Sequence, residues 1–322
     1  MKATSISNSN IALIKYWGRD GNNNPTASNL SITMDDQLQT ITTVKFSRNY
    51  EKDELILNNE NCSGLKLEKA TQMLNVIRDY ANVDIKAKII SKNTFPHGTG
   101  LASSASGFSA LAAACAKALN LRLNEPQLAK LISKGPSGSA TRSVFGGIVE
   151  WKKNGTLYQV KDNEILEEIR NIILIVDTTE KKITSNEGTI ISQRTSPFYS
   201  EWIQSNENDI EKLKNSIPKK DYNTFFEIIM KNSNSLHSVM LSSYPPLIYL
   251  NDISFRIIEK IHEINKENTI CAYTFDAGPN AHVFTMYNKV EEIKEELKSI
   301  SGIKDIIVCK SGKGIRYREA NT

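Results

Sequence analysis

A period-two run at residues 85–90 (IKAKII) leads through SKNTF into Pro96-His-Gly-Thr-Gly-Leu-Ala-Ser-Ser-Ala-Ser-Gly107. A stretch rich in Ala, Ser and Leu then continues to Leu119. The alternation predicts a strand, and the Ala-rich segment predicts a mostly buried helix with a Gly/Ser joint before it. A strand that turns through glycines into a helix is a building unit of mixed α/β folds. Its free N–H groups and the positive end of the helix dipole also favour an anion at the joint. No Gly-Lys-Ser/Thr follows, and the loop does not follow a first strand, so it is neither a Walker loop nor a dinucleotide fingerprint. Taken alone, a tight turn with small residues for close packing explains it equally well.

Three other segments carry candidate chemistry. Lys134-Gly-Pro-Ser-Gly-Ser-Ala-Thr-Arg-Ser143 sets serines, a glycine and an arginine in one run that is expected to open onto a helix. Arg142 there offers a planar fork to a carboxylate or phosphate. Tyr273-Thr-Phe-Asp-Ala-Gly-Pro-Asn280 ends a strand in a carboxylate and a turn. Its plainer reading is an Asp-x-Gly turn that holds its own backbone. Asn10-Ile-Ala-Leu-Ile-Lys-Tyr-Trp-Gly18 puts Lys15 inside an apolar strand. That is costly unless the ammonium meets an opposite charge, or snorkels from an edge.

The remaining pattern gives a strand at 30–46 and a helix at 67–80. Beyond Gly146-Gly147 come a strand at 172–176, helices at 197–215, 222–241 and 247–265, and strands at 269–275 and 282–286. A helix at 290–299 and a strand at 303–309 close the chain. With 322 residues, this order predicts two domains, the second of α+β type. Hydrophobic residues at 39% and charged residues at 24% exclude collagen-like, disulfide-scaffold and disordered classes. The net charge of +4, from 40 basic and 36 acidic residues spread along the chain, excludes a nucleic-acid surface and suits an anionic small molecule. The four cysteines form no C-x-x-C pair and read as buried free thiols. His237, His262 and His282 lack ligand spacing, so no metal site is expected. No basic-then-apolar leader and no spanning run is present, which predicts a cytoplasmic protein without a membrane partner.

Together the segments NIALIKYWG, GLASSASG, GSATRSVFGG with VEW after it, SYPPLIYLND and YTFDAGPNA resemble the diphosphomevalonate decarboxylases of the GHMP kinase superfamily. The order and spacing match from residue 10 to beyond residue 280. The resemblance implies an α+β (mixed α/β) GHMP fold. An N-terminal domain, 1–185, would carry the phosphate loops, and a ferredoxin-like C-terminal domain, 186–322, would carry the catalytic Asp, with a cleft between them. It implies catalytic roles for Asp276, Lys15 and Arg142. Substrate binding would fall to Asn10, Tyr16, Arg19, Ser137, Gly138, Ser139 and Ser185. The nucleotide or phosphate bed would be Asn93, Gly98, Gly100, Leu101, Ala102, Ser103 and Ser104. A homodimer acting on a phosphorylated mevalonate is implied as well.

Departures from the family pattern cluster at the C5 end of the substrate and at the phosphate loop. His97 stands where a small side chain is usual, and Pro136 where Gly is common. Asn186 replaces a residue that is Arg in some members, and Glu187 beside it opposes extra phosphate. These changes lead to the expectation of mevalonate 3,5-bisphosphate as substrate and isopentenyl phosphate as product, without ATP or any other cofactor. The alternative is an ATP- and Mg²⁺-dependent diphosphomevalonate (or phosphomevalonate) decarboxylase. A mevalonate 3-kinase, and a non-catalytic protein that binds an isoprenoid or nucleotide, are the remaining readings.

Overall fold

A computed structural model describes residues 1–95, 103–160, 163–179 and 182–318. The expected loop residues His97, Gly98, Gly100, Leu101 and Ala102 lie outside the described residues. Three sheets organise the chain. The first contains β1 (Lys2–Asn8), β4 (Gln39–Phe46), β5 (Glu54–Leu57), β6 (Glu60–Cys62), β7 (Ala87–Asn93) and β14 (Arg316–Arg318), in the order β14-β1-β4-β7-β5-β6. The second is β2 (Asn10–Ile14), β3 (Asn29–Thr33), β8 (Ile148–Trp151) and β9 (Leu157–Val160), paired in chain order. The third is β10 (Ile169–Ile175), β11 (Cys271–Phe275), β12 (Ala281–Met286) and β13 (Asp305–Lys310), in the order β11-β12-β10-β13. All pairs are antiparallel except β5 with β7.

The long strand read at 30–46 is two strands in different sheets. Asp35 caps a 3-10 turn, Asp36–Leu38, by accepting from the Gln37 N–H, and the chain changes sheet there. Alternation continues across the turn, so the pattern alone does not reveal the break. The division expected after residue 185 assigns β10 to the N-terminal half, whereas its hydrogen bonds run to β12 and β13.

Helices α1 (Gly64–Ala81) and α2 (Ser103–Ala118) pack on the first sheet, and α3 (Glu125–Ile132) joins them in the same core. In α1 the buried residues Ala70, Met73, Leu74 and Ile77 recur at helical spacing, and Asn82 closes the helix in the left-handed region. Asn124 and Gln127 form a reciprocal capping box that starts α3. The short α4 (Asn163–Glu168) precedes β10. Then follow α5 (Ser185–Thr195), α6 (Tyr199–Ser216), α7 (Tyr222–Leu241), α8 (Asp252–Ile264) and α9 (Val290–Lys298). One apolar core joins Ile11, Leu13, Ile14, Leu30 and Ile32 of the second sheet to the third sheet and its helices. It spans both halves of the sequence. Of the four free cysteines, Cys115, Cys271 and Cys309 are buried and Cys62 is half-buried. Among the described residues no helix is long and apolar enough to cross a membrane.

Candidate active site

Strand β2 ends at Ile14, so Lys15 lies one residue beyond it, just after a shift in register against β3 between Ala12 and Ile14. Its side chain is 1% exposed and its ammonium donates to Asp276 Oδ1 at 2.6 Å. The snorkelling alternative therefore fails. Asp276 directly follows β11, and 35% of its side chain is exposed, so the pair is sealed on the lysine side and accessible on the carboxylate side. Burial lowers the Lys15 pKa, and Asp276 opposes that shift by charge and hydrogen bond.

Arg142 comes from a 3-10 turn, Gly138–Val144, and not from the α-helix expected there. The guanidinium is 3% exposed as a residue. Its Nε donates to Asn10 Oδ1 at 3.1 Å, and a terminal nitrogen donates to Asn29 Oδ1. It also lies over the Tyr16 ring, 5.3 Å from the centroid, and Tyr16 stacks on Trp151 at 5.5 Å. Asn10 is held in turn by Nδ2 donating to the Ser139 carbonyl at 3.0 Å and to Ser143 Oγ at 2.7 Å. Burial pulls Arg142 down to about 10, which leaves it cationic at neutral pH. Tyr16 is pushed up to about 12 by burial and remains a phenol.

Arg19 donates to the carbonyls of Ser133 at 2.6 Å and Gly135 at 3.0 Å, pinning the loop that carries Ser137 and Ser139. Those two hydroxyls are 3.1 Å apart. Gly138 lies between them, and a Cβ there would overlap the Tyr16 hydroxyl, so the close approach requires glycine. Ser185 opens α5, and Asn186 Nδ2 reaches the Pro136 carbonyl at 3.3 Å across the same loop. Glu187 faces its own helix end: its Oε2 accepts from Thr184 N and Thr184 Oγ1, both at 2.8 Å. Glu187 is thus engaged in capping α5 while its carboxylate keeps its negative charge.

Ser103 and Ser104 begin α2, whose first turn contains no acidic residue. Asn93 Oδ1 accepts from Thr40 Oγ1 at 2.9 Å at the end of β7, behind that turn. Lys15, Arg142, Asp276, Asn10 and Tyr16 are thus brought into one constellation, with Arg19, Ser137, Gly138 and Ser139 beside Tyr16, whereas Ser185 is linked to that loop only through its neighbour Asn186. Among the described residues no group of three His, Cys, Asp or Glu is placed to hold a metal ion.

Several buried polar residues at this site escaped the sequence reading. Asn29 seats Arg142. Asn206 and Asn232 contact the main chain of Lys15 from α6 and α7. A signal for the latter two was present: each is a polar residue set into a largely apolar helix stripe, beside Ile210 and Leu213 in one case and Ile228, Ile229 and Leu236 in the other. A polar residue in such a stripe is buried and must be hydrogen-bonded.

Residues 7–162 match the family model for the diphosphomevalonate decarboxylase-like N-terminal domain, and 171–317 match the mevalonate 5-diphosphate decarboxylase C-terminal domain. Diphosphomevalonate decarboxylase of Candida albicans is 40% identical over 299 residues, which cover 85% of this chain and 82% of the relative. The human enzyme of the same name is 35% identical, with 88% and 76% covered. Mevalonate diphosphate decarboxylase of Staphylococcus aureus superposes with a TM-score of 0.93 at 33% identity, covering 99% of this chain and 98% of that one. A complex of MDDEF with MVAPP, AMPPCP and magnesium also gives 0.93 at 33% identity, with 99% of both chains covered. The expectation of a cofactor-free enzyme for the 3,5-bisphosphate is not supported by these relatives, which favour the ATP-dependent alternative. The chain belongs to the diphosphomevalonate decarboxylase family and is a carboxy-lyase with a two-domain α+β fold of the GHMP kinase superfamily.

Proposed function

We propose that this chain is the ATP-dependent diphosphomevalonate decarboxylase, releasing CO₂ and phosphate to give isopentenyl diphosphate. In that reaction the tertiary C3 hydroxyl takes a phosphoryl group. The C3–O bond then breaks with its electrons on the leaving phosphate. The C1–C2 pair becomes the new double bond as CO₂ departs. Negative charge grows on the phosphate while positive charge grows at C3, so fixed charges aimed at those two points lower the barrier most.

The observation that carries the reading is the sealed Lys15–Asp276 contact at 2.6 Å beside a buried guanidinium. The Lys15 ammonium neutralises the departing phosphate. The Asp276 carboxylate accepts the C3 hydroxyl proton or faces the cation that follows. Two asparagines orient Arg142, so its remaining guanidinium nitrogen can hold the substrate carboxylate without a cluster of cations that would oppose loss of neutral CO₂. Ser137, Ser139, Arg19, Tyr16 and Ser185 line the C5 phosphate end. ATP supplies the phosphoryl group, and Ser103 and Ser104 at the positive end of α2 suit its phosphates. Mg²⁺ would be carried on those phosphates, not in a protein cage. The homodimer implied by the resemblance is retained as part of this proposal.

The test compares CO₂ release from diphosphomevalonate and from mevalonate 3,5-bisphosphate, each with and without ATP-Mg. Release from the diphosphate that requires ATP is expected, with a loss of about 10³-fold in Asp276→Asn. Release from the 3,5-bisphosphate alone, with none from the diphosphate, would overturn the proposal.

A further inference from the structure

Lys15 and Asp276 lie 261 positions apart in sequence and directly follow strands of different sheets, yet their side chains meet at 2.6 Å. Neither sheet fixes that distance by itself. Lys15 lies beyond the last paired residue of β2, so its main-chain N–H and C=O have no strand partner. Left unpaired in the interior, each would cost a full desolvation penalty. Both are satisfied by side chains: Asn232 Oδ1 accepts from Lys15 N at 2.7 Å, and Asn206 Nδ2 donates to the Lys15 carbonyl at 2.9 Å. Asn232 Nδ2 then donates to Asn206 Oδ1 and Asp209 Oδ2, both at 2.9 Å, so the clamp is closed on itself. On the other side, β11 is an edge strand, and its outer N–H groups need partners outside the sheet. Ser233 Oγ accepts from Phe275 N at 3.0 Å, one residue before Asp276, and Asn234 Nδ2 donates to the Tyr273 hydroxyl at 2.9 Å. Asn232 and Ser233 are both fully buried.

We propose that Asn232 and Ser233, adjacent on α7, are positioning residues that set the Lys15–Asp276 separation by holding the backbone of each one's segment. Consecutive residues of one rigid helix form a ruler of fixed length between the two groups. The proposal rests on the reading that this pair acts together in catalysis. Misplacement by about 1 Å costs on the order of 10²-fold in rate, so the effect falls on kcat and not on substrate binding. It also falls on the titration of Lys15. Among the described residues, the charged and titratable groups within electrostatic reach of that ammonium are Asp276, Arg142, His237 and His282. Of these Asp276 supports the protonated lysine, while Arg142 opposes it. Moving Asp276 away therefore shifts loss of the Lys15 proton, and the alkaline limb of the kcat profile, to lower pH.

The test measures kcat, KM for both substrates, the pH profile and Tm for Ser233→Ala, Ser233→Thr and Ser216→Ala. Ser216 Oγ donates to Leu213 within α6 and serves as a buried-hydroxyl control. Expected for Ser233→Ala are a kcat about 10-fold or more below wild type with KM within about twofold, and an alkaline limb at lower pH. Ser233→Thr, which keeps the acceptor, restores both, and Ser216→Ala leaves both unchanged. If Ser233→Ala does not fold, Ser233→Cys replaces it, since a thiol is a poor acceptor of nearly the same size. Wild-type kcat and pH profile in the variant that lacks the hydroxyl, or equal losses in Ser233→Ala and Ser233→Thr, would overturn the proposal. A wild type without ATP-dependent decarboxylation would instead overturn the functional reading beneath it.

Discussion

An ammonium with 1% of its side chain exposed keeps its proton only if a nearby charge offsets the lost hydration, and Asp276 supplies that charge to Lys15. Breaking the pair by truncating one partner leaves the other uncompensated in the interior. Loss of Asp276 therefore removes the support for the lysine's charge, in addition to the proposed role of the carboxylate in the chemistry. His282 lies in the same neighbourhood under the opposite constraint. It is 1% exposed, its Nδ1 is 3.1 Å from Asn171 Nδ2, and burial brings its pKa from 6.5 down to about 4. The folded protein thus keeps this imidazole neutral, whereas the unfolded chain takes up a proton below pH 6.5. Stability is fully present above that pH and declines as pH falls toward 4, by on the order of 3 kcal/mol for this one group. Denaturant unfolding at pH 7 and pH 4.5 should show a smaller gap in His282→Gln than in the wild type. Equal gaps would mean that His282 does not carry the acid sensitivity.

At the level of elements, capping and strand pairing decide where functional groups end up. The first turn of α5 is held by the reciprocal Thr184–Glu187 box, which directs Ser185 and Asn186 toward the loop at Pro136. Glu187→Gln should accordingly change KM for diphosphomevalonate by less than about twofold, since an exposed carboxylate engaged in a cap contributes little elsewhere. Thr184→Ala should raise KM, because it frees the turn that carries Ser185. A several-fold fall in KM on Glu187→Gln would show that the carboxylate does oppose the substrate. Helices were the most legible elements: 222–241 is α7 without change, and 67–80 lies within α1. Their apolar stripes have one period and face one core. Strands were less so. Residues 30–46 continued a single alternation across a change of sheet, and the β5–β6 hairpin gave too short a pattern to register. Lys15, Arg142 and Asp276 were legible as charged residues in apolar or glycine-rich settings. Asn29 was not, because its importance lies in a guanidinium from a distant segment, and Asn206 and Asn232 left only the trace of polar residues in helix stripes, without pointing to the Lys15 main chain that they hold.

Across the whole molecule, the two sides of the candidate site are joined by a shared interior. Ile11, Leu13 and Ile14 of β2 pack in the same core as the third sheet and its helices, so the elements that bear Lys15 and Asp276 bury apolar surface against common neighbours. A polar tie reinforces this junction from the outside. Lys214 on α6 donates to Glu150 Oε2 on β8 at 2.7 Å and to the Tyr158 hydroxyl on β9 at 2.8 Å, and that hydroxyl donates to the same carboxylate. Glu150 has 4% of its side chain exposed, while Lys214 has 33%, so the carboxylate depends on the lysine more than the reverse. Lys214→Met keeps the length of the stem and removes the charge, which leaves a buried anion with a single phenolic donor. The expected loss is about 1–3 kcal/mol, because the lysine is partly hydrated and the phenol remains. If the shared core makes the chain one cooperative unit, that loss moves the far-UV and near-UV circular dichroism transitions together to lower denaturant. Two separated transitions in the variant would show that each half is stable without the other, and that Lys15 and Asp276 are held together only by contacts at the cleft.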